Sequence, residues 1–292
     1  MATTPESSKQ ENTYFIQDSG AELARVIELE RVLTRGMGGL LPEHPDPSAL
    51  VASFHRVLDV ACGPGGWSLD LVQAYPHLQV EGFDIDQRMI DYANSQARVA
   101  GLDNARFRVM NAAGPLDYPN NYFDLVNARW LAVIPTDVYE RAVRELVRIT
   151  RPGGIIRLTE NEQYSISNGP AFERLSGMFL QAVKRAGNTH SPDGRSTGLT
   201  PLLGRFLRNA GCQNIQMKPF VIDWSAGAAE HEPVYRVLSV FIQLLQPFLI
   251  KVGVTTKEEF ERLYNEAEIE MHSDDFCALW YFLTVWGTKS NA

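Results

Sequence analysis

The feature that most constrains this chain is an apolar run that breaks on glycines and then enters a helical pattern. Arg56-Val57-Leu58-Asp59-Val60-Ala61 reads as a buried strand. Cys62-Gly63-Pro64-Gly65-Gly66 turns the chain, and a helix is expected from Trp67 to Ala74. The alternation then repeats. Strands are expected at 79–84, 106–110, 123–127 and 155–159, with helices at 89–100 and 136–150 between them. Arg151-Pro152-Gly153-Gly154 is read as a helix stop and a turn into the fifth of these strands. Strands that alternate with helices imply a parallel sheet covered by helices on both faces.

The remaining sequence adds elements around that frame. Ser19-Gly20-Ala21-Glu22 forms a capping box ahead of a helix that runs to about Arg35, with Leu23, Val26, Ile27, Leu29 and Leu33 on its apolar side. Glycines at 36, 38 and 39 and the stretch Pro42-Glu43-His44-Pro45-Asp46-Pro47 end it as a hinge or linker. Further helices are expected at 170–186, from Thr200 with Thr as cap, at 233–251, and at 256–271 with Thr256 as cap. A strand is expected at 214–224. The aromatic run ALWYFLTVWGT, from Ala278 to Thr288, is the last one. The expected organisation is a tail and helical lid over 1–53, then one domain over 54–292 with helical caps at about 164–198 and 228–272.

Composition narrows the function. The 292 residues carry a net charge of −8, with no basic stripe, which argues against a nucleic-acid binder. Cys62, Cys212 and Cys277 make neither a disulfide framework nor a metal-ligand spacing, so no metal is expected and a cytoplasmic location is the simple reading. The most apolar stretch, VYRVLSVFIQLLQPFLIKV, is interrupted by Arg236, Gln243, Gln246 and Pro247. It falls short of the ~18 uninterrupted apolar residues of a span, and no membrane partner is expected.

What the glycine turn holds follows from its neighbours. In an open α/β sheet, ligands bind beyond the carboxyl ends of the strands, where strand order reverses. Asp84 ends the second strand, where an acid can accept both hydroxyls of a ribose. The dinucleotide fingerprint asks for Gly or Ala at its sixth place, and Ser68 stands there. Asp59 puts a carboxylate close to the helix N-terminus, where it competes with a pyrophosphate and suits a cationic ligand. S-adenosylmethionine, with its sulfonium and ammonium, is such a ligand.

The series LDVACGPG, GFDID, NAAGPLDYPNNYFDLV and LVRITRPGGIIRL resembles motifs I to III of the class I S-adenosylmethionine-dependent methyltransferases, most closely the small-molecule and ubiquinone-biosynthesis-type branch. The likeness covers roughly residues 54–160, and the closing aromatic strand resembles that family's antiparallel seventh strand. The resemblance implies a Rossmann-like, doubly wound, seven-stranded, mostly parallel sheet with an antiparallel last strand, an N-terminal helix and inserted helices. It implies S-adenosyl-L-methionine as cofactor. Gly63 and Gly65 would pass under its methionine portion and Asp59 would organise that loop and the ammonium. Asp84 would bind the ribose, with Ile85, Asn111 and Ala112 around the adenine. Asn111 stands where the family usually has Asp. Arg129, after the fourth strand, can pair with the methionine carboxylate. Tyr14, in the N-terminal segment that resembles a family lid, completes the cofactor set.

The catalyst is less legible than the cofactor site. His190, in a loop, is the candidate for a general base, and Glu160, after the fifth strand and expected near the pocket mouth, is a candidate for acceptor binding, each set against a plain loop role. Cys62 has no evident His partner and is read as structural. The expected reaction is transfer of a methyl group to an O, N or C atom of a small, partly apolar acceptor, natural-product or quinone-like, by a monomer or homodimer. The rivals are an NAD-dependent oxidoreductase and a cofactor-binding partner subunit without catalysis.

Overall fold

The computed structural model describes residue 16 and residues 20–131, 134, 136–162 and 165–291. Tyr14, Ser19 and the aromatic Tyr164 fall outside the described residues. The chain opens with α1 (Gly20–Gly36) and α2 (Pro47–Val51). It then alternates: β1 (Arg56–Val60), α3 (Gly66–Ala74), β2 (Gln79–Asp84), α4 (Gln87–Val99), β3 (Ala105–Val109), β4 (Phe123–Arg129), α5 (Thr136–Ile149) and β5 (Thr150–Glu160). There follow β6 (Ile166–Ser167), α6 (Pro170–Arg185), α7 (Thr200–Asn209), β7 (Cys212–Asp223), α8 (His231–Lys251), α9 (Lys257–Met271) and β8 (Ala278–Lys289).

The sheet runs β3-β2-β1-β4-β5-β8-β6, with β7 on the other edge of β8. Strands β1 to β5 are parallel to one another, and β8 is antiparallel to β5, β6 and β7. This is the expected doubly wound α/β sheet with its antiparallel last strand. It has eight strands among the described residues where seven were expected, because β6 is a two-residue pairing too short to show a period. Strand order reverses between β1 and β4, so their carboxyl ends open a crevice.

Three local expectations change. Arg151-Pro152-Gly153-Gly154 lies inside β5, not ahead of it: the β4–β5 register shifts between Phe123 and Leu125, and Gly153 takes up the irregularity at φ +71°. Thr200 is the first residue of α7 and caps nothing; its N–H and Oγ1 donate instead to the carboxylate of Glu162. Thr256 does cap α9, accepting from the Glu259 N–H at 3.2 Å. The stretch expected as a hinge or linker is packed in: Leu41, Val51 and Phe54 share a core with Val57, Trp67 and Leu71.

That packing has a polar spine. The Glu43 carboxylate accepts from Arg157 Nε at 2.5 Å and Nη2 at 3.1 Å. Arg157 Nη1 donates to Asn127 Oδ1 at 2.7 Å, Asn127 Nδ2 donates to Asp59 Oδ1 at 2.7 Å, and Ser68 Oγ donates to Asp59 Oδ2 at 2.8 Å. All five residues are buried. The chain of bonds crosses β5, β4 and β1 and ends at the first turn of α3. Removing one member of a buried ion pair leaves the other charge without compensation, at a cost of about 3–5 kcal/mol. Glu43→Ala should therefore lower unfolding free energy by about that much in denaturant titration. The apolar pair Glu43→Leu with Arg157→Met should recover most of the loss.

Candidate active site

The glycine turn joining β1 to α3 takes its shape from alternating backbone conformations. Ala61, Gly63 and Gly65 all have positive φ, at 53°, 52° and 82°. A side chain on Gly65 would place its Cβ 2.9 Å from the Phe107 ring, so this glycine serves close packing of the turn on α4 and β3. Gly65 is not among the residues lining the crevice; Gly63 is. The Gly63 N–H donates to Asp84 Oδ2 at 2.9 Å, and the Asp86 N–H donates to Asp84 Oδ1 at 3.0 Å. The turn and the end of β2 are thus tied together by the Asp84 carboxylate.

A cleft of about 170 Å³ opens above these carboxyl ends. It brings together Asp59, Gly63, Asp84, Ile85, Asn111, Ala112 and Arg129, all of which the sequence had singled out for a cofactor. Asn111 Oδ1 accepts the Ala113 N–H at 2.8 Å, which closes a tight turn beside Ala112. His190 and Glu160 are not among the cleft's lining residues. Glu160 was expected near the mouth; it ends β5 fully buried, accepting from Tyr139 Oη at 2.9 Å. His190 sits in its loop with its ring 5.8 Å from that of Phe206. Burial pushes the Cys62 thiol well up, which removes it as a nucleophile.

The structure adds residues that local pattern did not mark. Helix α1 forms one wall of the cleft with Glu22, Arg25, Leu29, Glu30 and Leu33. Its buried stripe differs from the expected apolar one because it contains the ion pair Glu22–Arg25 at 2.7 Å, with Arg25 also stacked 5.1 Å over Phe241 of α8. Two-pronged bonds of 2.6 Å from Arg35 to Glu230 fix the far end of α1. Trp130, just after β4, holds a left-handed backbone at φ 59°, which is uncommon for a bulky residue, and its ring lies against Trp280 and Phe282.

Glu30 reaches across from α1 to the glycine turn. Its Oε2 accepts the Gly66 N–H at 2.8 Å, and its Oε1 lies 4.0 Å from Arg129 Nη2. Arg129 Nη1 donates to Thr34 Oγ1 at 3.2 Å. Burial raises the carboxyls of Asp59, Asp84 and Glu30 together, Glu30 up to about 8, although Arg129 opposes the shift for Asp59 and Glu30. An acid raised in the folded state stabilises the fold most below its unfolded value. That contribution fades as pH climbs towards 8. Glu30→Gln should therefore gain melting temperature relative to the wild type by several degrees at pH 8.5 and much less at pH 5, in paired thermal scans. In the same scans, Gly65→Ala should lose about 1–3 kcal/mol at either pH, through strain at positive φ and the Phe107 contact.

Sheet order, switch-point cleft and acidic lining define a Rossmann-like fold of the methyltransferase type. Residues 57–154 match the sequence profile of the methyltransferase domain. The chain is 33% identical over 181 residues to a demethylmenaquinone methyltransferase of Geobacillus stearothermophilus, spanning 59% of this chain and 76% of that protein. It is 29% identical over 192 residues to the demethylmenaquinone methyltransferase of Halalkalibacterium halodurans, spanning 61% and 74%. In structure it resembles a geranyl diphosphate methyltransferase solved with S-adenosylmethionine, at a TM-score of 0.51 and 17% identity, over 93% of this chain and 91% of that one. The chain belongs to the class I S-adenosylmethionine-dependent methyltransferases.

Proposed function

We propose that this enzyme methylates a small, partly apolar acceptor, quinone-like or a natural product, with S-adenosylmethionine held in the cleft at the switch point. The observation that carries the reading is the Asp84 carboxylate. It is fixed by the Gly63 and Asp86 N–H groups and lines the cleft at the end of β2, where an acid can take a ribose. Ile85, Asn111 and Ala112 offer an adenine site beside it. Gly63 leaves room for the methionine portion: a Cβ there would meet Val26 at 3.3 Å. Arg129 is the cation for that portion's carboxylate, and Asp59, held by Ser68 and Asn127, sets the shape of the turn. The quinone-like class draws on the demethylmenaquinone methyltransferases among the relatives and on the apolar lining from Leu29, Leu33, Trp130, Leu131 and Ile134.

S-adenosylmethionine supplies an electrophilic methyl group already activated by the sulfonium charge. The chain's own work is alignment and exclusion of water. Helix α1 and Trp130 form walls of the cleft. The acidic lining also disfavours the rival nicotinamide dinucleotide, because Asp59 and Glu30 place carboxylates where a pyrophosphate would need donors. With Glu160 and His190 away from the cleft, no base is assigned, and an acceptor that loses its proton easily suits such a site.

Calorimetric titration tests this reading. The wild type should bind S-adenosylmethionine and not NAD. Asp84→Ala should weaken binding about tenfold or more, ~1.4 kcal/mol. Well-folded wild type that binds NAD alone, or neither ligand, would overturn the assignment.

A further inference from the structure

We propose that Glu30 of α1 is the cofactor's ammonium acceptor and that Glu30 and Arg129 together recognise an α-amino-acid zwitterion. The inference rests on the S-adenosylmethionine reading of the cleft and assigns a residue which that reading leaves out.

Three carboxylates line the cleft near the turn, and two are committed. Asp59 accepts Ser68 Oγ and Asn127 Nδ2, one on each oxygen, at the end of the buried polar chain. Asp84 accepts the Gly63 and Asp86 N–H groups, again one on each oxygen. Glu30 differs. Its Oε2 accepts the Gly66 N–H, while its Oε1 has, among the described residues, only the Arg129 guanidinium at the long distance of 4.0 Å. That oxygen also lies 3.7 Å from where a Cβ on Gly63 would sit, directly over the glycine left bare for a ligand. Its side chain is only 13% exposed and that of Arg129 only 11%. A carboxyl group and a guanidinium are thus held side by side, largely buried and too far apart for a good hydrogen bond.

An α-amino acid carries the complementary pair. Its ammonium set on Glu30 and its carboxylate set on Arg129 would give four alternating charges, each with an opposite neighbour. Buried charges of this kind are tolerated when they are paired and hydrogen-bonded. The raised carboxyl of Glu30 agrees with this arrangement, since an arriving ammonium would restore the ionised form. The charged groups acting on Glu30 from neighbouring elements are Arg129, Asp59 and Asp70. A carboxylate also caps the start of α6, where Glu270 accepts the Ala171 and Phe172 N–H groups. Among the described residues it has no guanidinium partner, so it serves as the comparison for a carboxylate that only caps a helix.

The test uses two neutral-sulfur ligands that differ in the amino-acid end. S-adenosylhomocysteine keeps it and 5′-methylthioadenosine lacks it. Both are titrated calorimetrically into the wild type and Glu30→Gln; the amide keeps an oxygen for the Gly66 N–H. The expected result is a tenfold or greater loss of S-adenosylhomocysteine affinity in the variant, with 5′-methylthioadenosine held within twofold. The latter titration also reports that the variant is folded. Equal losses for both ligands would make Glu30 a helix pin, and no loss for either would remove it from the site; either result overturns the inference alone. Wild type that binds neither ligand would overturn the cofactor reading and this inference with it.

Discussion

The structure depends on a buried line of charge and hydrogen bonds, Glu43–Arg157–Asn127–Asp59–Ser68. It fastens the stretch before the first strand to the middle of the sheet. Each member is a polar group in an apolar setting and would be costly alone. Together they are satisfied, and the satisfaction is directional. Asn127 turns its Nδ2 towards Asp59 and its oxygen towards Arg157, and Glu43 neutralises Arg157. The glycine turn therefore inherits its position from a contact on the far side of two strands.

Above that line the cleft has an acidic character that no one residue creates. Burial raises the carboxyls of Asp59, Asp84 and Glu30, and Arg129 opposes the shift for Asp59 and Glu30. A site of this kind resists phosphate and favours a ligand that brings positive charge. The same electrostatics explain why the turn departs from the dinucleotide pattern at Ser68: its hydroxyl is a donor spent on Asp59, a task that Gly or Ala cannot perform.

Much of the fold was legible because parallel strands and their helices carry strong local periods. The run from Arg56 to Asp84 and the closing aromatic strand fell within a residue or two of their observed bounds. Seven of the nine residues expected for a cofactor line the switch-point cleft, because motif spacing follows strand ends. What the sequence hid was contact at long range. Glu43 looked like part of a hinge, since nothing near it shows that Arg157 will meet it. Thr200 looked like a cap because Glu162 competes for the same helix start from another loop. Glu160 looked available because its partner Tyr139 lies on a different element. Glu30 was invisible for the same reason: on α1 it reads as an ordinary helix-surface acid, and only the docking of α1 on the turn gives it a neighbour.

The Glu43–Arg157 contact has a consequence for the order of assembly. The two residues are 114 positions apart, and the strand that carries Arg157 is the last of the parallel set to be synthesised. At roughly 5–20 residues per second, the segment around Glu43 waits on the order of ten seconds on the ribosome before its partner exists. During that time its carboxylate has no reason to leave water, so the loop stays outside the nascent sheet. The contact that anchors this early segment can therefore form only once the polypeptide has passed its midpoint.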